Sequence, residues 1–111
     1  MTEGFRSSRE IILRTEDWDR ATAFYRSVLG LPVTYQSESL MGFETGAFCL
    51  YVEKGSPHGP VFELFVHDVE ATKAQLISAG CTLVEEEASI PRCYIQDPFG
   101  FVFNLHADAR G

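Results

Sequence analysis

Apolar and polar positions along this chain pass through the same succession of patterns twice. Residues 9–15 alternate as a half-buried strand does, with Glu10, Ile12 and Arg14 on one face and Ile11 and Leu13 on the other. Asp17 stands where a helix N-cap is expected. Behind it Ala21, Phe24, Tyr25, Val28 and Leu29 fall on one helical stripe, which Gly30 ends and Pro32 keeps from resuming. Short strand patterns over 33–37, 40–44 and 47–53 follow, separated by polar turns as in a meander. Residues 54–60, with two prolines and two glycines, form a linker. The order then repeats. A strand over 61–67 leads to Asp68, a second N-cap 51 positions after the first, and to a helix burying Val69, Thr72, Leu76, Ile77 and Ala79 before Gly80. Strands near 81–86 and 90–96 precede Asp97-Pro98-Phe99-Gly100, a type I turn signature, and a last strand over 101–106.

Each half therefore reads as a βαβββ module, module 1 over about 9–53 and module 2 over about 61–106, within a single domain 1–111. Neither module can bury a sheet face alone. The pattern predicts an α+β fold in which the modules form one curved mixed sheet, with helices outside and a concave ligand cavity on the other face. Nine Phe among 111 residues exceed what a minimal core needs, so some rings are candidates for lining that cavity and the rest are core.

Charge and cysteine usage narrow the partners. A net charge of -7, with Lys and Arg scattered, argues against nucleic acid and is compatible with a cationic small molecule or with simple solubility. Cys49, Cys81 and Cys93 are an odd count with no Cys-x-x-Cys pair, which points to a reducing cytoplasm and to small buried side chains. No stretch approaches the roughly 20 apolar residues of a membrane span, so no membrane partner is expected.

Two segments carry a family resemblance. Arg20-Ala21-x-x-Phe24-Tyr25-x-x-x-Leu29-Gly30-Leu31-Pro32-Val33 and Asp97-Pro98-Phe99-Gly100-Phe101-Val102-Phe103-Asn104-Leu105 resemble the first helix and the final turn and strand of the vicinal oxygen chelate superfamily of glyoxalases, extradiol dioxygenases and bleomycin-resistance proteins. The resemblance implies the fold just described. It also implies a choice, because the superfamily's enzymes hold a divalent metal on the concave face, whereas other members only bind and sequester drugs. The metal-ligand positions it assigns here are Glu10, Leu50, Val61 and Asn104. Glu10 is a good ligand and Asn104 a weak one; Leu50 and Val61 are none. No metal or other cofactor is expected; the alternative is a divalent metal held by Glu10 and His106.

Strand parity places Glu10, Ile12, Arg14, Phe48, Leu50, Val52, Val61, Glu63, Phe65, Val102, Asn104 and His106 on the concave face. Arg92, Tyr94 and Gln96 share a face near the final turn. Apolar walls with sparse polar groups suit a small-molecule pocket. Glu63, set between Phe62 and Leu64, is either an anchor for a cationic ligand or half of an internal ion pair with Arg14 or Arg92. Trp18 caps the cavity mouth or rests on the core, and His58 and His67 read as solvated. No catalytic residues are assigned, since no nucleophile-His-acid pattern or phosphate loop is present. The chain is expected to be a cytoplasmic homodimer, similar to the bleomycin-resistance proteins of antibiotic resistance, that sequesters an amphipathic or cationic ligand without catalysis. The alternatives are a metal-dependent lyase, isomerase or dioxygenase, and a regulatory subunit with a vestigial cavity.

Overall fold

A computed structural model describes residues 5–107; the ends of the expected domain lie outside them. The described residues divide into two compact units, 9–61 and 62–107 together with 5–8. The elements run β1 (Arg6–Thr15), α1 (Trp18–Ala23), a π-helical turn (Phe24–Val28), β2 (Val33–Gln36), β3 (Leu40–Glu44), β4 (Cys49–Lys54), β5 (His58–Val66), α2 (Val69–Ser78), β6 (Thr82–Glu87), β7 (Arg92–Gln96) and β8 (Val102–Ala107). The α+β class and both βαβββ modules are as the pattern predicts.

In the first unit the strand order is β2-β3-β4-β1, antiparallel except for the parallel β4–β1 pair. The second unit repeats this as β6-β7-β8-β5, with β8–β5 parallel. Even the irregularities recur. One register shift falls between Val33 and Tyr35 in β2, and another between Leu83 and Glu85 in β6.

Each helix covers its own core. Beneath α1, Trp18, Met41, Phe43 and Val52 are buried, with Ala21, Tyr25, Leu31 and Leu50 packed against them. Trp18 belongs to this core, and its Nε1 donates to the Val52 carbonyl at 2.8 Å. Beneath α2 the buried set is Val66, Cys93, Ile95, Phe103 and Leu105, joined by Leu64, Val69, Leu76 and Cys81.

Several local expectations need correction. The stripe behind Asp17 is buried only in part, because Phe24, Val28 and Leu29 are 46%, 69% and 53% exposed. The cause is the π-helical turn: Leu29 N–H donates to the Phe24 carbonyl five residues back, which breaks the 100° spacing the stripe relies on. Ile77 and Ala79, near the end of α2, are exposed as well. Asp17 makes no side-chain cap; its N–H donates to Thr15 Oγ1, and its carboxylate faces Arg20 at 3.5 Å. Asp68 does cap α2, accepting from Ala71 N–H at 3.1 Å. Gly30 and Gly80 take the positive φ expected where a helix ends. β5 starts at His58, which shortens the linker to the bend after Lys54. Among the described residues no helix is long and apolar enough to cross a membrane.

Trp18→Phe keeps an aromatic ring in the first core but removes the indole hydrogen bond to the Val52 carbonyl. It should cost about 0.5–1.5 kcal/mol, the usual net contribution of one hydrogen bond, read as a fall of several degrees in Tm by differential scanning calorimetry.

Candidate functional site

The sheet face of the second unit that points away from α2 carries the densest set of predicted site residues. Strand alternation sends Leu64, Phe103 and Leu105 into the core, which leaves Glu63, Phe65, Asn104 and His106 on the opposite face. Glu63 is the parallel neighbour of Asn104, and Phe65 of His106. Across the antiparallel side Tyr94 is opposite Asn104. Tyr94, Asn104 and Glu63 therefore form one row across three strands, and all three are buried.

The polar groups of this face are committed to different degrees. Asn104 Oδ1 accepts from the Cys93 backbone N–H at 2.8 Å, so the amide acts as a clasp between β7 and β8. Arg92 lies against the Tyr94 ring, 5.1 Å from its centroid, and pairs with Glu85 at 3.0 Å. Arg6 stacks over the Phe65 ring at 5.0 Å, and the His106 ring meets Phe65 edge-on at 5.9 Å. Glu63, only 8% exposed, faces His106 Nδ1 at 3.8 Å, which is longer than a hydrogen bond. Of the two arginines considered as partners for Glu63, Arg92 pairs with Glu85.

Parity places Arg6 with Glu10, but β1 begins at Arg6, three residues before the expected strand, and Glu85 was not foreseeable by parity at all. The shift between Leu83 and Glu85 brings Glu85 opposite Tyr94, whereas Leu83 is opposite Ile95 on the core side. A bulge inserts a residue and flips the face of everything beyond it. The run Glu85-Glu86-Glu87 at an edge strand is the sequence signal that was there to be read.

The first unit has its own counterpart face. Glu10, Ile12 and Arg14 pair in parallel with Cys49, Tyr51 and Glu53. The placement of Phe48, Leu50 and Val52 on this face is therefore wrong. Leu50 and Val52 belong to the core beneath α1. Phe48 precedes β4 in a turn, where its carbonyl accepts from Thr45 N–H and Oγ1. That turn carries one residue more than a count from Gly46 allows, and a slip of one residue exchanges the two faces. Glu63 is matched to Asn104, and Ile12, its counterpart 51 residues earlier, is matched to Tyr51. Tyr51, not Leu50, thus stands where Asn104 stands in the second unit. Its ring lies over Gly42, where an added Cβ would come within 2.8 Å of Cε1. Arg14 is buried and bound to the loop after β4, donating from Nε to the Ser56 carbonyl at 2.6 Å.

These residues do not fit a divalent-metal centre. Glu10 has Cys49 beside it, but burial and the nearby Glu44 raise the Cys49 thiol above its ordinary range and keep it protonated. Val61 is fully buried and offers no donor, and the Asn104 oxygen is already engaged. Among the described residues no three His, Cys, Asp or Glu side chains converge as a metal ion requires.

Comparison with known proteins agrees with this architecture. Residues 10–106 match the family model described as a glyoxalase-like domain. No curated protein matches the sequence. Among solved structures, a glyoxalase/bleomycin resistance protein/dioxygenase superfamily member from Vibrio splendidus 12B01 aligns with a TM-score of 0.64 at 19% identity, covering 95% of this chain and 100% of its own. The Mn(II)-bound glyoxalase from Novosphingobium aromaticivorans gives 0.60 at 21% identity over 94% of this chain, which spans only 40% of that enzyme. An extradiol ring-cleaving dioxygenase from B. fuscum gives 0.62 at 21% identity over 93% of this chain and 32% of its own. Identities this low carry the fold alone, whereas the family match extends over nearly the whole sequence. The chain belongs to the glyoxalase-like domain family, and its fold is that of the vicinal oxygen chelate superfamily.

Proposed function

We propose that this protein binds and sequesters an amphipathic small molecule with a cationic or hydrogen-bond-donating group, without catalysis. The observation that carries the reading is Glu63, a carboxylate in the row with Tyr94 and Asn104 whose nearest charged partner among the described residues is His106 Nδ1 at 3.8 Å. Burying a carboxylate costs several kcal/mol unless a cation or strong donors answer it. A ligand ammonium or amidinium would supply that answer, and the neighbouring Phe65 and Tyr94 rings, which already carry Arg6 and Arg92, would supply apolar contact. Binding energy then comes from apolar burial, about 25 cal/mol per Å², and from one charge-assisted contact.

The reading extends to a homodimer in the cytoplasm, with a role like that of the bleomycin-resistance proteins. It includes no cofactor and neither nucleic acid nor membrane as partner. The net charge of -7 supports the exclusion of polyanions and the preference for a cation. The metal-dependent alternative finds no support in the donor set.

A thermal-shift screen of planar aromatic cations, catechols, glutathione thioesters and divalent metals tests this reading. A planar cation at about a hundred times its dissociation constant should add roughly 2.7 kcal/mol and raise Tm by several degrees. A silent organic panel with a metal response that disappears in Glu10→Ala would sink the proposal. In a separate titration, Glu63→Gln should weaken binding of the responding cation about ten- to a hundredfold, the range expected for one hydrogen bond to a charged group. An unchanged affinity would remove Glu63 from the site.

A further inference from the structure

A cavity of about 270 Å³ opens at one end of the second unit's sheet, and its chemistry differs from that of the Glu63 face. Its walls are Val69 from the first turn of α2, Leu105 and Ala107 from β8, Cys93 from β7, and Ala88 and Pro91 from the β6–β7 connection. Glu70, Glu86, Arg92 and His106 complete the lining, and most of their charge is already answered. Lys73 bridges Glu70 at 2.9 Å and Glu86 at 2.7 Å, and the two hydrogen bonds, Glu86's first, raise its pKa and hold it charged. Arg92 is paired with Glu85.

The thiol in the wall is the second observation. Cys93 is 4% exposed and its sulfur makes no hydrogen bond among the described residues. Burial first, and then the Glu86 charge, raise its pKa and keep it a neutral, polarisable wall atom. An anion would find no free counter-charge at the rim, where one lysine is shared by two carboxylates, and a cation would have to compete with Lys73 for them; either would lose hydration on entry. An uncharged ring would lose nothing polar and would gain contact with aliphatic walls and sulfur. An apolar protein cavity of about 150 Å³ is known to hold benzene, so this larger space suits a ring system of one or two rings.

We propose that this cavity is a second binding site, selective for a small uncharged aromatic molecule and meeting the face that carries Glu63 only at His106 and Arg92. The probe is indole, titrated into the full-length chain and followed by ¹H–¹⁵N NMR. Saturable shifts should concentrate at the amides of Val69, Ala88, Cys93 and Leu105. Ala88→Trp, which fills the cavity from its exposed connection, should weaken binding by about tenfold or more, equivalent to 1.4 kcal/mol, while Glu63→Gln leaves it unchanged. Absence of saturable shifts, shifts centred on Glu63 and Phe65, or equal weakening by Glu63→Gln would each overturn the proposal. That last pair of outcomes also separates its failure from failure of the cation site. Should Ala88→Trp not fold, labelling of Cys93 by methyl methanethiosulfonate replaces it. Saturating indole should slow Cys93 labelling about tenfold without changing that of Cys49, and an unprotected Cys93 would equally overturn the assignment.

Discussion

Parallel pairing of the first strand of each module with its last, β1 with β4 and β5 with β8, is the constraint on which the site depends. A parallel pair cannot be closed by a tight turn, so the chain must cross over, and in each module a helix lies on that crossover. The helix buries one face of the strands. Whatever stands at alternate positions on the other face is then left for function: Glu63 beside Asn104 and Phe65 beside His106 in one unit, and Glu10, Ile12 and Arg14 beside Cys49, Tyr51 and Glu53 in the other. The register is doubly important because a strand has a period of two, so an error of one residue exchanges a core side chain for a functional one.

That period explains which parts of the molecule were legible in the sequence. The strand–helix punctuation was readable because it rests on residues whose backbone chemistry is nearly unambiguous, as at Asp68, Gly80 and Gly30. The second-unit face was readable for a related reason, since Phe103 and Leu105 flank Asn104 and leave only one parity that buries apolar area. The first-unit face was not, because Leu50 and Val52 looked equally suitable as pocket lining and as core. Only the length of the 45–48 turn decides between them, and turn length is a local backbone matter that composition does not report. The bulge that brings Glu85 to Arg92 and the π-helical turn that exposes Val28 are of the same kind. Each adds or displaces one residue within an element whose apolar pattern is otherwise regular.

The two units also show how one scaffold accommodates different polar contents. The row Gly42, Tyr51, Ile12 in the first unit corresponds to Tyr94, Asn104, Glu63 in the second. In the first, a ring lies across a strand position that has no side chain; in the second, the ring comes from the other strand and a carboxylate occupies the aliphatic position. An aromatic group is kept in each row, but the strand that supplies it changes, and with that exchange the polar atoms move. A ligand set for a metal would need several anionic or imidazole donors to meet at one point, and among the described residues neither row supplies one.

The Asn104 clasp has a consequence for substitution at its own position. Its carbonyl oxygen fastens the Cys93 amide of the neighbouring strand, so it holds the fold together at a position that the family resemblance assigns to a metal ligand. A glutamate there, one methylene longer, could offer a metal only the oxygen that the Cys93 amide does not occupy. Any substitution at residue 104 is therefore felt first in the pairing of β7 with β8 and only afterwards by whatever lies on that face.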